Sequence, residues 1–77
     1  MSFATMRRLQ AEAAQLQAQA FRLEARAAME WFPNKTHARN LERLAVVYDR
    51  MAAEHLNSAA ADDARTILQY NQGVNAA

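Results

Sequence analysis

The chain has 77 residues, of which 52% are hydrophobic, and its nine basic and eight acidic side chains leave a formal net charge of +1. This length limits it to one domain with a marginal core, and the absence of cysteine excludes disulfides and thiolate metal sites. The near-neutral charge argues against strong nonspecific binding to nucleic acid, which depends on neutralising phosphates. Self-association or an external partner is therefore the expected additional source of stability.

The first predicted helix covers about residues 3–31. Only one glycine and one proline occur in the whole chain, so helix-breaking residues are nearly absent. Two rows recur every seven residues, as the a and d positions of a heptad do. The d row is Leu9, Leu16 and Leu23, and the a row is Met6, Ala13, Ala20 and Ala27. The sequence predicts that these rows face a second helix.

A corner follows the first helix, at about residues 32–35. Trp31 and Phe32 precede Pro33, which is the only proline. Adjacent helical residues point about 100° apart, so the two aromatic side chains cannot share one seam. We expect Phe32 to plug the turn and Trp31 to face a partner.

The second predicted helix covers about residues 36–57, and Asn34 or Thr36 can cap it. Its heptad rows are Ala38, Ala45, Ala52 and Ala59, with Leu41, Tyr48 and His55 beside them. Folding the chain at Pro33 brings the heptads of the two helices opposite each other, which predicts an all-α, antiparallel, alanine-rich helical hairpin. The pattern resembles that of small helical hairpins with close-packed alanine seams, including the Rop type.

The end of the chain favours a short C-terminal helical segment at about residues 59–72. Asn57 and Ser58 precede Asp62 and Asp63, as an N-cap precedes the acidic first turn of a new helix. Gly73 is a reasonable stop. The alternative is one long helix that changes partners near residue 58.

Two further apolar stripes remain outside the predicted seam. On the first helix, Phe21 and Trp31 share a face outside the seam. On the second helix, Leu44, Val47 and Met51 share another. Exposed apolar stripes on small proteins usually mark interfaces. We therefore expect a homodimeric four-helix bundle. Its predicted interface residues are Phe3, Phe21, Leu44, Met51, Ile67 and Leu68.

No constellation indicates an enzyme, a cofactor or a metal site. The chain has no nucleophile beside a base, no glycine-rich phosphate loop and no supported carboxylate pair. Tyr48 and His55 form either a proton-handling pair or, as we expect, a structural polar layer that Glu12 or Gln15 satisfies across the seam.

Basic residues crowd the turn end of the predicted hairpin. Arg39, Arg43 and Arg50 share one broad helical face. They are joined near the turn by Arg22, Arg26 and Lys35. This set is either a solvated face with i,i+4 ion pairs or a surface that binds acidic groups.

The function expected by elimination is that of a small non-enzymatic regulator or inhibitor, which binds a larger protein and occludes it. Its size and simplicity suit a bacterial or phage protein. The alternatives are an RNA-binding hairpin dimer of the Rop pattern and a sponge that holds a nucleotide between subunits. No apolar run spans a bilayer and no signal-like h-region occurs, so a cytoplasmic location is expected. The predicted partner-binding residues are Trp31, Arg39, Arg43, Val46, Val47 and Arg50.

Overall fold

The protein is a hairpin of two long helices. The computed structural model describes residues 1–31 and 33–76, with side chains up to residue 73. Helix α1 spans Phe3–Glu30 and helix α2 spans Lys35–Ala76, and together they form a rod of 68 × 18 × 11 Å. The prediction of an all-α helical hairpin is confirmed. In the described part of the chain, neither helix is long and apolar enough to cross a membrane.

Side-chain caps set the first turn of each helix. The Ser2 hydroxyl oxygen accepts from the N–H of Thr5 at 3.1 Å, and the Asn34 Oδ1 accepts from the N–H of His37 at 3.0 Å. The N–H of Asn34 also donates to the carbonyl of Ala28 at 3.1 Å, which closes the corner. Of the two cap candidates for α2, Asn34 is the one that caps. The expectation that Phe32 plugs the turn falls outside the described residues.

The seam between the helices is built almost entirely of alanine. Among the residues whose side chains are described, the buried hydrophobic ones are Ala4, Ala11, Ala14, Ala18, Ala25, Ala38, Leu41, Ala45, Ala52 and Ala59. The alanine row predicted for α2 is therefore confirmed, and Tyr48 and His55 lie half-buried beside it as expected.

The face predicted for α1 is wrong. The leucine row points outwards, because Leu9, Leu16 and Leu23 are 49%, 59% and 60% exposed. The row that faces α2 is instead Ala4, Ala11, Ala18 and Ala25. Two heptad patterns coexist on α1, and periodicity alone does not tell which one faces the neighbouring helix.

Close approach explains which row is buried. The distance between packed helices depends on the side chains at their contact, so two rows of methyl groups allow the shortest separation. Ala18 and Ala45 are both fully buried. A leucine row at the seam would hold the helix axes apart and would uncover the alanines of α2.

The expected break near residue 58 does not occur, because α2 is one continuous helix. Asp62 and Asp63, interpreted as first-turn acids, lie within α2. Asp63 pairs across the hairpin with Arg8, and Asp62 lies 3.5 Å from Arg65 on its own helix. The acids thus have ion-pair partners without a new helix N-terminus. Gly73, predicted as a stop, is also helical.

The last part of α2 extends past the start of α1. Asp63 pairs near the beginning of α1, at Arg8, and every side chain from residue 64 to residue 73 is exposed. A single helical segment of this length is marginally stable in water without packing. The hairpin therefore carries an unsupported helical end as well as a seam with little buried side-chain volume.

The adjacent Ala52 and Ala53 provide a test of the seam. Ala52 is 2% exposed and Ala53 is exposed. We expect Ala52→Leu to lower the free energy of unfolding by about 1–3 kcal/mol, because the added carbons force the helices apart. Ala53→Leu is the matched control and changes stability by less than about 0.5 kcal/mol. Urea unfolding followed by circular dichroism measures both, and equal effects would contradict the buried face assigned to α2.

Candidate functional site

Five of the predicted partner-binding residues meet on one surface. Arg39, Arg43, Val46, Val47 and Arg50 line a shallow groove on α2, together with Glu42. We call the five residues the arginine–valine face. Their spacing along the helix keeps them on the side turned away from the alanine seam. The structure therefore brings together the set that was selected from the sequence, apart from Trp31.

The charge on the arginine–valine face is largely free. Within residues 33–73, none of Arg39, Arg43 and Arg50 lies within ion-pair distance of a carboxylate. Val46 and Val47 lie between them with 44% and 47% exposure. Arginine is enriched in the hot spots of protein interfaces, and the exposed valines beside it provide apolar area that a partner can bury.

The shape of this surface favours a large partner. Small-molecule sites are usually concave and bury most of the ligand. The arginine–valine face is the outer side of a single helix, so its groove is bounded by long side chains instead of walls of backbone. The described residues also contain no group of three or more histidine or acidic side chains placed to hold a metal ion.

Trp31 lies outside the arginine–valine groove. It is the C-cap residue of α1 and is 83% exposed at the corner. Its expected stripe does not form, because Phe21 and Ala28 pack against the seam cluster of Ala25 and Leu41. Trp31 is thus a separate exposed aromatic side chain.

The residues predicted for a dimer interface do not form one patch. Leu44 and Met51 are exposed one heptad apart. Ile67 and Leu68 lie on the extension of α2, about 24 Å along the helix from Met51 at 1.5 Å per residue. Phe3 is on the other helix, in the first turn of α1.

Two of the predicted interface aromatics have partners within the hairpin. Phe21 is half-buried against Tyr48, with ring centroids 5.4 Å apart and an angle of 46° between the planes. The ring of Phe3 lies 5.8 Å from the guanidinium carbon of Arg7. Phe21 therefore supports the hairpin from within, although Phe3 remains 47% exposed.

A second candidate surface, assigned to the seam by the sequence, lies on the outer side of α1. Its large members are Met6, Leu9, Leu16 and Leu23, and Ala13, Ala20 and Ala27 alternate with them. We call this set the leucine face. The sequence did contain a signal for the outward position of the leucine face, because α1 also carries an all-alanine row that competes with the leucine row for the seam.

The polar layer predicted around His55 lacks the expected partners. Its Nδ1 atom is buried and has no hydrogen-bond partner among the described residues. Glu12 and Gln15, the predicted partners, are both exposed. An unpaired buried polar atom costs stability, so His55 does not strengthen the seam through hydrogen bonding.

Replacing His55 tests this interpretation. We expect His55→Leu to raise the free energy of unfolding by about 1 kcal/mol, because it removes a buried polar atom without breaking a hydrogen bond. His37→Leu is the matched control, since His37 is exposed. Thermal unfolding measures both variants. Destabilisation by His55→Leu alone would show that His55 makes a structural interaction.

One of the turn-end arginines is already engaged. Arg22 donates a hydrogen bond to the Asp49 carboxylate across the hairpin. This hydrogen bond lowers the pKa of Asp49 and raises that of Arg22, with the attraction between the charges acting in the same direction. Arg22 therefore serves the hairpin and is not a free cation for an external anion.

The Asp49 titration provides a test of that pair. Because the folded pKa lies below its ordinary value of 3.8, the pair stabilises the hairpin above that pH and is lost as pH falls through the lowered pKa. We expect Arg22→Gln to return the Asp49 pKa towards 3.8 in a carbon-detected NMR titration, and Arg8→Gln to leave it unchanged. An unchanged Asp49 pKa in Arg22→Gln would contradict the pairing.

Comparison of the chain with protein-family models, with curated proteins and with solved structures finds no match. The function is therefore inferred from the surfaces of the hairpin itself.

Proposed function

We propose that the protein is a small non-enzymatic regulator or inhibitor that binds a larger protein through the arginine–valine face and occludes it. The observation that supports this proposal is the grouping of three arginines around two exposed valines, none of the three having an ion-pair partner in the described part of the chain. In keeping with its small size, we propose that the protein is encoded by a bacterium or a phage and acts in the cytoplasm.

The partner surface follows from this chemistry. Arg39 and Arg50 are 11 residues apart, which places their Cα atoms about 16 Å from each other along α2. The partner therefore carries acidic side chains over a similar length, with an apolar depression between them. Val46 and Val47 enter the depression, and the guanidinium groups pair with the carboxylates and orient the approach.

Occlusion follows from the length of α2. A helix that docks by one face covers an elongated strip of its partner and blocks access to it without any chemical step. Trp31, exposed at the corner, is a second anchor if the partner extends past the turn. Because it is the only tryptophan, its fluorescence reports such contact directly.

Protein is favoured over RNA as the partner because of the valines. RNA binding uses phosphate contacts and base stacking, for which Val46 and Val47 offer nothing. The net charge of +1 also provides little general attraction for a polyanion. Arg22, which an RNA-binding turn end would need, is paired with Asp49.

The test starts with the tagged full-length chain and bacterial lysate, with and without nuclease. A captured protein is then purified, and its dissociation constant is measured by calorimetry. We expect Val47→Asp and Arg43→Glu each to weaken binding at least tenfold, because they place acidic groups in the proposed interface. The matched controls Ile67→Asp and Arg65→Glu lie on the extension of α2, outside the groove, and leave the affinity within twofold.

Three results would overturn the proposal. The first is equal weakening by Arg43→Glu and Arg65→Glu, which would indicate general charge attraction. The second is capture that disappears with nuclease and falls steeply with salt, which indicates nucleic acid. The third is a thermal shift with nucleotides alone, which indicates a small ligand.

A further inference from the structure

The leucine face of α1 lies outside the seam of the hairpin. Leu16 and Leu23 are 59% and 60% exposed, and Leu9 is 49% exposed. Their heptad spacing is that of a coiled-coil seam, yet α2 packs on the opposite side of α1. We propose that a second copy of this chain covers this face, so that two hairpins associate through antiparallel α1 helices.

Side-chain size favours a second copy in antiparallel orientation. Small and large residues alternate along the leucine face. When two α1 helices pack in antiparallel orientation, each leucine of one helix therefore lies opposite an alanine of the other. In the register proposed here, the layers pair Leu9, Leu16 and Leu23 with Ala27, Ala20 and Ala13 of the partner subunit, respectively. The leucine–alanine layers then all have the same width, and along them the two helices stay at constant separation.

A parallel pair fits the same residues less well. It places leucine opposite leucine in one layer and alanine opposite alanine in the next. The wide layers would then hold the alanine layers apart and leave gaps, which packed interfaces avoid. A partner of unrelated sequence has no reason to supply the complementary alternation that this chain already contains.

Charge complementarity selects the register. The row that flanks one side of the leucine face contains Glu12, Gln19 and Arg26. In the proposed register, Glu12 lies beside Arg26 of the partner subunit, and two-fold symmetry forms this pair twice. On the other flank, Gln17 lies beside its own copy. No like charges meet along either flank.

This arrangement leaves the arginine–valine face accessible. Since α2 packs on the side of α1 opposite the leucine face, the two α2 helices lie on the outer edges of the dimer. The inference does not rest on the proposed function, because it concerns a different helix and different residues. It also replaces the interface expected from Leu44, Met51 and Leu68.

The test is the molar mass of the full-length chain by sedimentation equilibrium. We expect the wild type at micromolar concentration to have twice the 8.7 kDa of one chain. Leu16→Glu places two charges near the centre of the interface and shifts the chain to the monomer mass. Leu68→Glu is the matched control, because Leu68 is also 59% exposed, and it keeps the dimer. Leu44→Glu keeps it as well.

A cross-linking experiment tests orientation and remains informative if Leu16→Glu does not fold. The chain has no native cysteine, so single cysteines report cleanly. Gln17→Cys lies near the proposed two-fold axis and should form a disulfide-linked dimer on mild oxidation. Gln10 is on the same flank and also exposed, but the two Gln10 positions of the dimer lie far apart in this register. Gln10→Cys should therefore stay monomeric on a denaturing gel.

Several outcomes would overturn the inference. A wild-type chain that stays monomeric at about 100 µM has no such interface at any useful affinity. Dissociation by Leu44→Glu or Leu68→Glu, with Leu16→Glu still dimeric, would place the interface elsewhere. Equal cross-linking of Gln10→Cys and Gln17→Cys would exclude the antiparallel register.

Discussion

The structure depends on the close approach of two alanine rows. Ala18 and Ala45, both fully buried, mark the middle of a seam in which methyl groups are almost the only side-chain contacts. Such a seam excludes every large residue from the space between the helices except at its borders, where Leu41 and the Phe21–Tyr48 pair lie. The remaining large apolar side chains must therefore point outwards.

The same constraint explains why the hairpin has two distinct outer surfaces. With alanine inside, α1 presents leucines on its far side and α2 presents valines among arginines on its far side. Burying alanine methyl groups yields little hydrophobic free energy, because that energy scales with the apolar area removed from water. A hairpin of this design gains from covering at least one outer surface, which connects its stability to association.

Register along the hairpin is fixed at its edge. Arg8 with Asp63 and Arg22 with Asp49 are two ion pairs separated by 14 residues on both helices, so they specify the same alignment. Alanine rows alone would allow the helices to slide by one heptad, since each layer looks like the next. These exposed pairs contribute little stability individually but distinguish one alignment from the others.

The two helices, the corner at Pro33 and the buried row of α2 follow from the sequence, because local propensity and spacing encode these features, and the sequence also limits the cap of α2 to Asn34 or Thr36. It also brought together the arginine–valine face, which needs only the periodicity of one helix. Which of the two heptads on α1 faces inwards, and the continuation of α2 past Asp63, are evident only in the folded hairpin. Both depend on how closely two helices pack and on which charges meet across them, and neither quantity exists within a single helix.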